Sequence, residues 1–100
     1  MRCALHVLAL RVDLRFPNSQ SLKAKRACLR PIVDGLRAKF DVSVAETDHA
    51  DSWQRAELGV ALVSGDVHVV GALADDIERF IWRNDADILE IERLWLETER

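Results

Sequence analysis

The sequence predicts one α+β domain of βαββαβ order, on three observations. Residues 3–14 and 55–63 carry apolar side chains on both alternating faces, the pattern of strands covered on both sides. Residues 21–39 and 67–83 carry apolar side chains at helical spacing. Between residue 48 and residue 55 only six residues, His49 to Gln54, separate two strand-like runs, which makes that connection a hairpin. Two αβ crossovers around a hairpin give a split βαβ, or ferredoxin-like, arrangement. Its four-stranded antiparallel sheet has the order 4-1-3-2, and both helices lie on one face. That order puts the first and third strands in the centre, where the two doubly apolar segments belong.

The first strand, 3–14, places Leu8, Leu10, Val12 and Leu14 on one side and Leu5, Val7 and Ala9 on the other. Phe16-Pro17-Asn18-Ser19 reads as a turn. In the first helix Leu22, Leu29, Ile32, Val33, Leu36 and Phe40 share one arc. Pro31 falls inside it, where an ordinary position loses about 3 kcal/mol, so a kink or two abutting helices are expected. Residues 42–48 form the second strand and 55–63 the third. Ser64-Gly65-Asp66 breaks the chain and supplies an N-cap for a second helix with Val70, Leu73, Ile77, Phe80 and Ile81 on its core side. Residues 87–97 read as a charged edge strand. With both helices on one face, Ala9, Gly59 and Ala61 are left on a small, apolar, uncharged sheet face. Such a face is usually covered, and a homodimer partner is the first expectation.

Composition narrows the function. With 49% hydrophobic and 31% charged residues the chain is a folded globule. The net charge of −3 gives no global pull toward nucleic acid or an anionic membrane. The charge is uneven, however: residues 1–40 hold nine Lys/Arg and two Asp/Glu, so a basic element sits on an acidic body. No apolar run approaches the roughly 20 residues that span a bilayer, and no signal peptide is read in the first strand, which Arg11 and Asp13 interrupt. A cytoplasmic location is expected, with no membrane partner. Cys3 and Cys28 lack metal or redox spacing and read as buried reduced thiols. There is no P-loop, Rossmann fingerprint, GxxG clamp or aromatic platform on the central strands.

Two clusters carry candidate chemistry. The first is the start of the first helix, with Ser19, Ser21, Lys23, Lys25 and Arg26. A helix N-terminus normally attracts acids, and here it carries cations, so backbone N–H groups, hydroxyls and cations together suit an anion. At 100° per residue Lys23, Arg26, Arg30 and Arg37 share a stripe about 60° wide, interrupted by Asp34. Lys25 points into the apolar arc, where it either snorkels or reaches an acid on the sheet. The stripe is either a solvated helix face or a phosphate-binding surface. The second cluster is the hairpin, with Glu46, Asp48, His49, Asp51, Trp53, Gln54 and Arg55. Its residues are metal-ligand types without a metal spacing. Alternation puts Glu46 and Asp48 on one face, able to meet Lys25 or Arg55. An internal ion-pair network, a partner or ligand surface and a catalytic site are the readings, in that order. Trp53 is either a lid on the core or an interface anchor. His6 reads as a packed or rim residue, His68 as surface, and Trp82 and Trp95 as core or interface area. No catalytic residue, metal or cofactor is assigned.

Two stretches go beyond fold. Ser19-Gln20-Ser21-Leu22-Lys23-Ala24-Lys25-Arg26 and the run from Ser43 through Glu46-Thr47-Asp48-His49-Ala50-Asp51-Ser52-Trp53-Gln54-Arg55 to Val60 closely resemble the two signature segments of the YlxP-like bacterial family, domain of unknown function 503. The resemblance covers nearly the whole chain and implies the ferredoxin-like fold. The family's usual gene neighbourhood of transcription termination, translation initiation and ribosome maturation implies a role near the ribosome. The sequence departs from the family pattern at Pro31, where the helix normally continues, and at Ala24, where an acid is frequent. The resulting expectation is a non-enzymatic factor that contacts ribosomal RNA or the 30S subunit through the helix-one cations. The alternative is a dimeric module that binds protein or a small ligand through the hairpin and the open sheet face.

Overall fold

The structure is a computed structural model and describes residues 5–84 and 86–96. Strand β1 (His6–Arg15) leads into helix α1 (Leu22–Phe40), the hairpin of β2 (Ser43–Asp48) and β3 (Arg55–Ser64), helix α2 (Val67–Trp82) and strand β4 (Asp87–Leu96). The sheet order is β2-β3-β1-β4 and every pairing is antiparallel, as the sequence predicts. β1 and β3 are central and pair without interruption from His6 opposite Ser64 to Arg15 opposite Arg55.

The core forms between one sheet face and the two helices. Leu8, Leu10, Val12 and Leu14 of β1 and Ala56, Leu58, Val60 and Leu62 of β3 are buried beneath Leu29, Ile32 and Leu36 of α1 and Val70, Ala74, Ile77 and Ile81 of α2. Each strand contributes alternate residues because its side chains alternate between faces. Gly35 lets α2 approach: a Cβ there would lie 2.5 Å from Phe80 Cζ, and Phe80 is in turn held edge-on by Phe40, 5.8 Å between centroids.

Helix boundaries follow local chemistry. Ser21 caps α1, its Oγ accepting from the Ala24 N–H, and Asp66 caps α2 by accepting from the His68 N–H. Asp41 ends α1 with φ of 52°, in the left-handed conformation that Asp tolerates better than most residues.

Several expectations are corrected here. α1 is a single helix through Pro31, not two. Proline removes the donor for the Ala27 carbonyl, but both residues lie on the exposed side, where water replaces that donor. Cys28 is exposed rather than buried, because at 100° per residue it falls about 40° beyond Ile32, outside the apolar arc. Cys3 lies outside the described residues. Trp82 and Trp95 are not core: they are 61% and 43% exposed.

The open sheet face is also not uniformly apolar. The register stacks it in rows. Leu96, Val7 and Val63 form one row, and Leu94, Ala9 and Ala61 the next. Beyond them Arg11 makes ion pairs with Glu57 at 3.1 Å, Glu92 at 2.9 Å and Glu90 at 3.4 Å, and Asp13 takes Arg55 at 3.0 Å. Thr47 folds over Gly59 and donates to Glu57 at 2.7 Å. That hydrogen bond and the one from Arg11 hold the Glu57 carboxyl below the usual carboxylate range.

Candidate functional site

The two signature segments meet. The first turn of α1 packs against the β2–β3 hairpin, and Lys25 is the joint. Its side chain is 1% exposed. Its Nζ donates to Glu46 Oε2 at 3.1 Å and to the backbone carbonyls of His49 at 2.9 Å, Arg55 at 3.1 Å and, more weakly, Ala50 at 3.4 Å. An ammonium has three hydrogens, so these four acceptors exhaust it. A buried charge of this kind persists only when paired and hydrogen-bonded. Of the two sequence readings of Lys25, reaching an acid on the sheet is the correct one. It is not part of an anion surface.

The hairpin is shaped around that ammonium. His49 takes φ of 62°, with its N–H donating to Asp48 Oδ1 at 2.7 Å, and its carbonyl accepts from both Lys25 Nζ and the Ser52 N–H. Ser52 Oγ accepts from the N–H groups of Gln54 and Arg55. Gln54 Nε2 donates to the carbonyls of Pro17 and Ser19, while the Phe16 N–H donates to the Gln54 carbonyl. The loop is thereby fastened to both sides of the β1–α1 turn.

Other candidates separate accordingly. Ser19 is buried and donates to the Ser21 carbonyl, and Ser21 is occupied as the cap, so neither hydroxyl projects toward an outside anion. Glu46 and Asp48 do not share a face. A bulge between them pairs Glu46 with Leu58 and Asp48 with Glu57, which turns Asp48 outward. Arg55 pairs with Asp13 rather than with a hairpin acid. Asp51 and Trp53 are exposed, Trp53 by 54%, so Trp53 is no lid on the core. His6 is half-buried and His68 exposed, as expected.

Lys23, Arg26, Arg30 and Arg37 keep the predicted stripe. All four are exposed, and among the described residues none forms an ion pair, whereas Arg11, Arg55, Arg79 and Arg93 each take at least one carboxylate. Arg37 reaches across to donate to the Val44 carbonyl at 2.7 Å, which bridges α1 to β2. The space so bridged is a groove of about 260 Å³. Arg26, Arg30 and Arg37 form one wall with Asp34, Leu29, Val33 and Leu58 line its apolar depth, and Glu46 and Ala45 of β2 close the far side. No sequence signal marks this groove, since it depends on the α1–β2 spacing. A larger cleft of about 320 Å³ beside Cys28, lined by Phe16, Pro31, Ile32, Asn84 and Ala86, has no charged group among the described residues. Among the described residues no three His, Cys, Asp or Glu side chains converge as a metal site, and no helix is long and apolar enough to cross a membrane.

The family model for DUF503, described as a protein of unknown function, matches residues 7–93. The chain belongs to this family. The match takes in β1 to most of β4, and with them both signature segments. The chain is also 48% identical over 47 residues to the uncharacterized protein YlxP of Bacillus subtilis (strain 168). That alignment takes in 47% of this chain and 51% of YlxP, so it spans about half of its curated relative. In this DUF503 chain a large part of the matched segments is therefore structural: Lys25 and Glu46, with Gln54 on the Ser19 carbonyl, hold the hairpin to the helix start, while Ser21 caps the helix and Ser52 shapes the loop.

Lys25→Met is expected to lower folding stability by about 3 kcal/mol, because three loop carbonyls and a carboxylate lose their donor together. Denaturant unfolding measures the loss. Hydrogen exchange should show amides 49–55 loosening first, and uniform loosening would contradict a local role for Lys25.

Proposed function

We propose that this chain is a non-enzymatic RNA-associated factor, with ribosomal RNA or the 30S subunit as its target and the α1 stripe as its contact. One observation carries the reading: Lys23, Arg26, Arg30 and Arg37 are exposed on one face with no carboxylate partner among the described residues. Spread from residue 23 to residue 37, they cover about 21 Å of helix at 1.5 Å per residue, a length that meets several phosphates. The acidic remainder of the molecule restricts contact to this strip. Phosphate contacts of this kind supply affinity without sequence choice. A cytoplasmic location fits the same reading.

Labelled 16S RNA or 30S particles at low salt should bind, with log K falling against log salt at a slope of about −3 for four phosphates at single-strand stoichiometry. Lys23→Glu with Arg26→Glu should abolish most of that binding. No binding, or binding indifferent to the double variant, would remove the proposal.

A second reading has its own observation. Val7, Ala9, Ala61, Val63, Leu94 and Leu96 form an apolar end of the open sheet face, with Val63 and Leu96 more than half exposed. A patch of that kind suits a second copy of the chain, and the reading makes the protein a dimeric module for protein or small ligands. Sedimentation at high micromolar concentration should then give a dimer that Leu94→Lys converts to monomer. A wild-type monomer would end this reading.

A further inference from the structure

We propose that the α1–β2 groove holds a base of single-stranded RNA and that Glu46 selects bases bearing an exocyclic amino group. The inference rests on the RNA reading above and adds the form of nucleic acid and the residue that discriminates. Three observations support it.

The first is the arrangement of charge. The cations of α1 stand in single file, and across the groove from Arg26, Arg30 and Arg37 stands the carboxylate of Glu46. A duplex brings two phosphate rows to a protein surface, and here the second row would meet an acid. One backbone along the arginines, with its bases turned toward β2, leaves each phosphate on a cation.

The second is the interior of the groove. Leu29, Val33 and Leu58 form its apolar floor between the charged side chains of α1 and β2, and its open volume of about 260 Å³ far exceeds the roughly 30 Å³ share of one water. An open groove with an apolar floor and charged walls suits a planar ring that lies on the floor and turns its polar edge to the walls.

The third is the free valence of Glu46. Its Oε2 accepts from Lys25, which fixes the side chain, while among the described residues Oε1 accepts no hydrogen bond. A carboxylate only accepts, so it favours N–H donors. Cytosine presents an amino group at N4, and uracil presents a carbonyl oxygen at the same ring position. Arg26, Arg30 and Arg37 against Asp34 and Glu46 leave the groove only weakly positive, so base contact adds to a modest phosphate attraction.

The test is fluorescence anisotropy with labelled (rC)8, labelled (rU)8 and an RNA duplex of equal charge, all on the full chain. The expected result is (rC)8 bound about tenfold more tightly than (rU)8, the scale of one base-edge contact, with the duplex weakest. Glu46→Gln offers an amide that donates to the uracil oxygen, so the preference should narrow or reverse. Val33→Phe, which fills the slot and leaves every charge in place, should weaken (rC)8 toward the duplex value. Equal binding of all three RNAs, unchanged by either variant, overturns the inference and leaves the phosphate reading standing. Absence of binding by every RNA overturns both.

Discussion

The buried ammonium of Lys25 constrains everything around it. Moving such a charge out of water costs several kcal/mol, and only a complete set of acceptors offsets that. One carboxylate and three carbonyls supply the set, and they come from β2, the hairpin loop and the start of β3. The loop must therefore turn its carbonyls inward, which the positive φ of His49 achieves. Inward carbonyls leave Trp53 and Asp51 on the outside. The same contact orients Glu46 over the groove, so the joint that holds the hairpin also sets the rim of the candidate site.

Charge is distributed in two regimes. On the open sheet face and along α2 and β4, arginines are consumed by acids, as Arg11 is by Glu57, Glu90 and Glu92 and Arg93 is by Asp75 and Glu78. Along α1, among the described residues, they are left without carboxylates, as are Arg15 at the end of β1 and Arg83 after α2. A chain that is acidic overall thus carries, among the described residues, a strip of exposed unpaired cations on α1, and the strip borders an open groove with an apolar floor. The DUF503 signature reads in this light as two layers. Lys25 and Glu46 build the joint beside the Ser21 cap, while Lys23 and Arg26 on the same helical turn face outward.

The fold was legible because its signals are local and periodic. The double apolar alternation of 3–14 and 55–63 named the central strands, and the arc from Leu22 to Phe40 named a helix whose charged misfit, Lys25, left two readings, snorkelling or an acid on the sheet. What could not be read needed distances across the fold or a departure from strict period. The bulge after Glu46 reversed the face of Asp48. The groove arises from the spacing of α1 and β2, and the Arg11 cluster depends on a register that brings β3 and β4 to either side of β1. Cys28 was misplaced inward because apolar residues are more often buried than exposed, a tendency that a helix flank overrides, while Trp53, left open between core lid and interface anchor, lies on the outside.

The most direct measurement of the central claim is NMR of the lysine side-chain ammonium groups in uniformly 15N-labelled protein at neutral pH and low temperature. The account predicts one protected ammonium resonance from Lys25, lost in Lys25→Arg, with those of Lys23 and Lys39 broadened away by exchange with water. A Lys25 ammonium that exchanges as fast as the other two would contradict it.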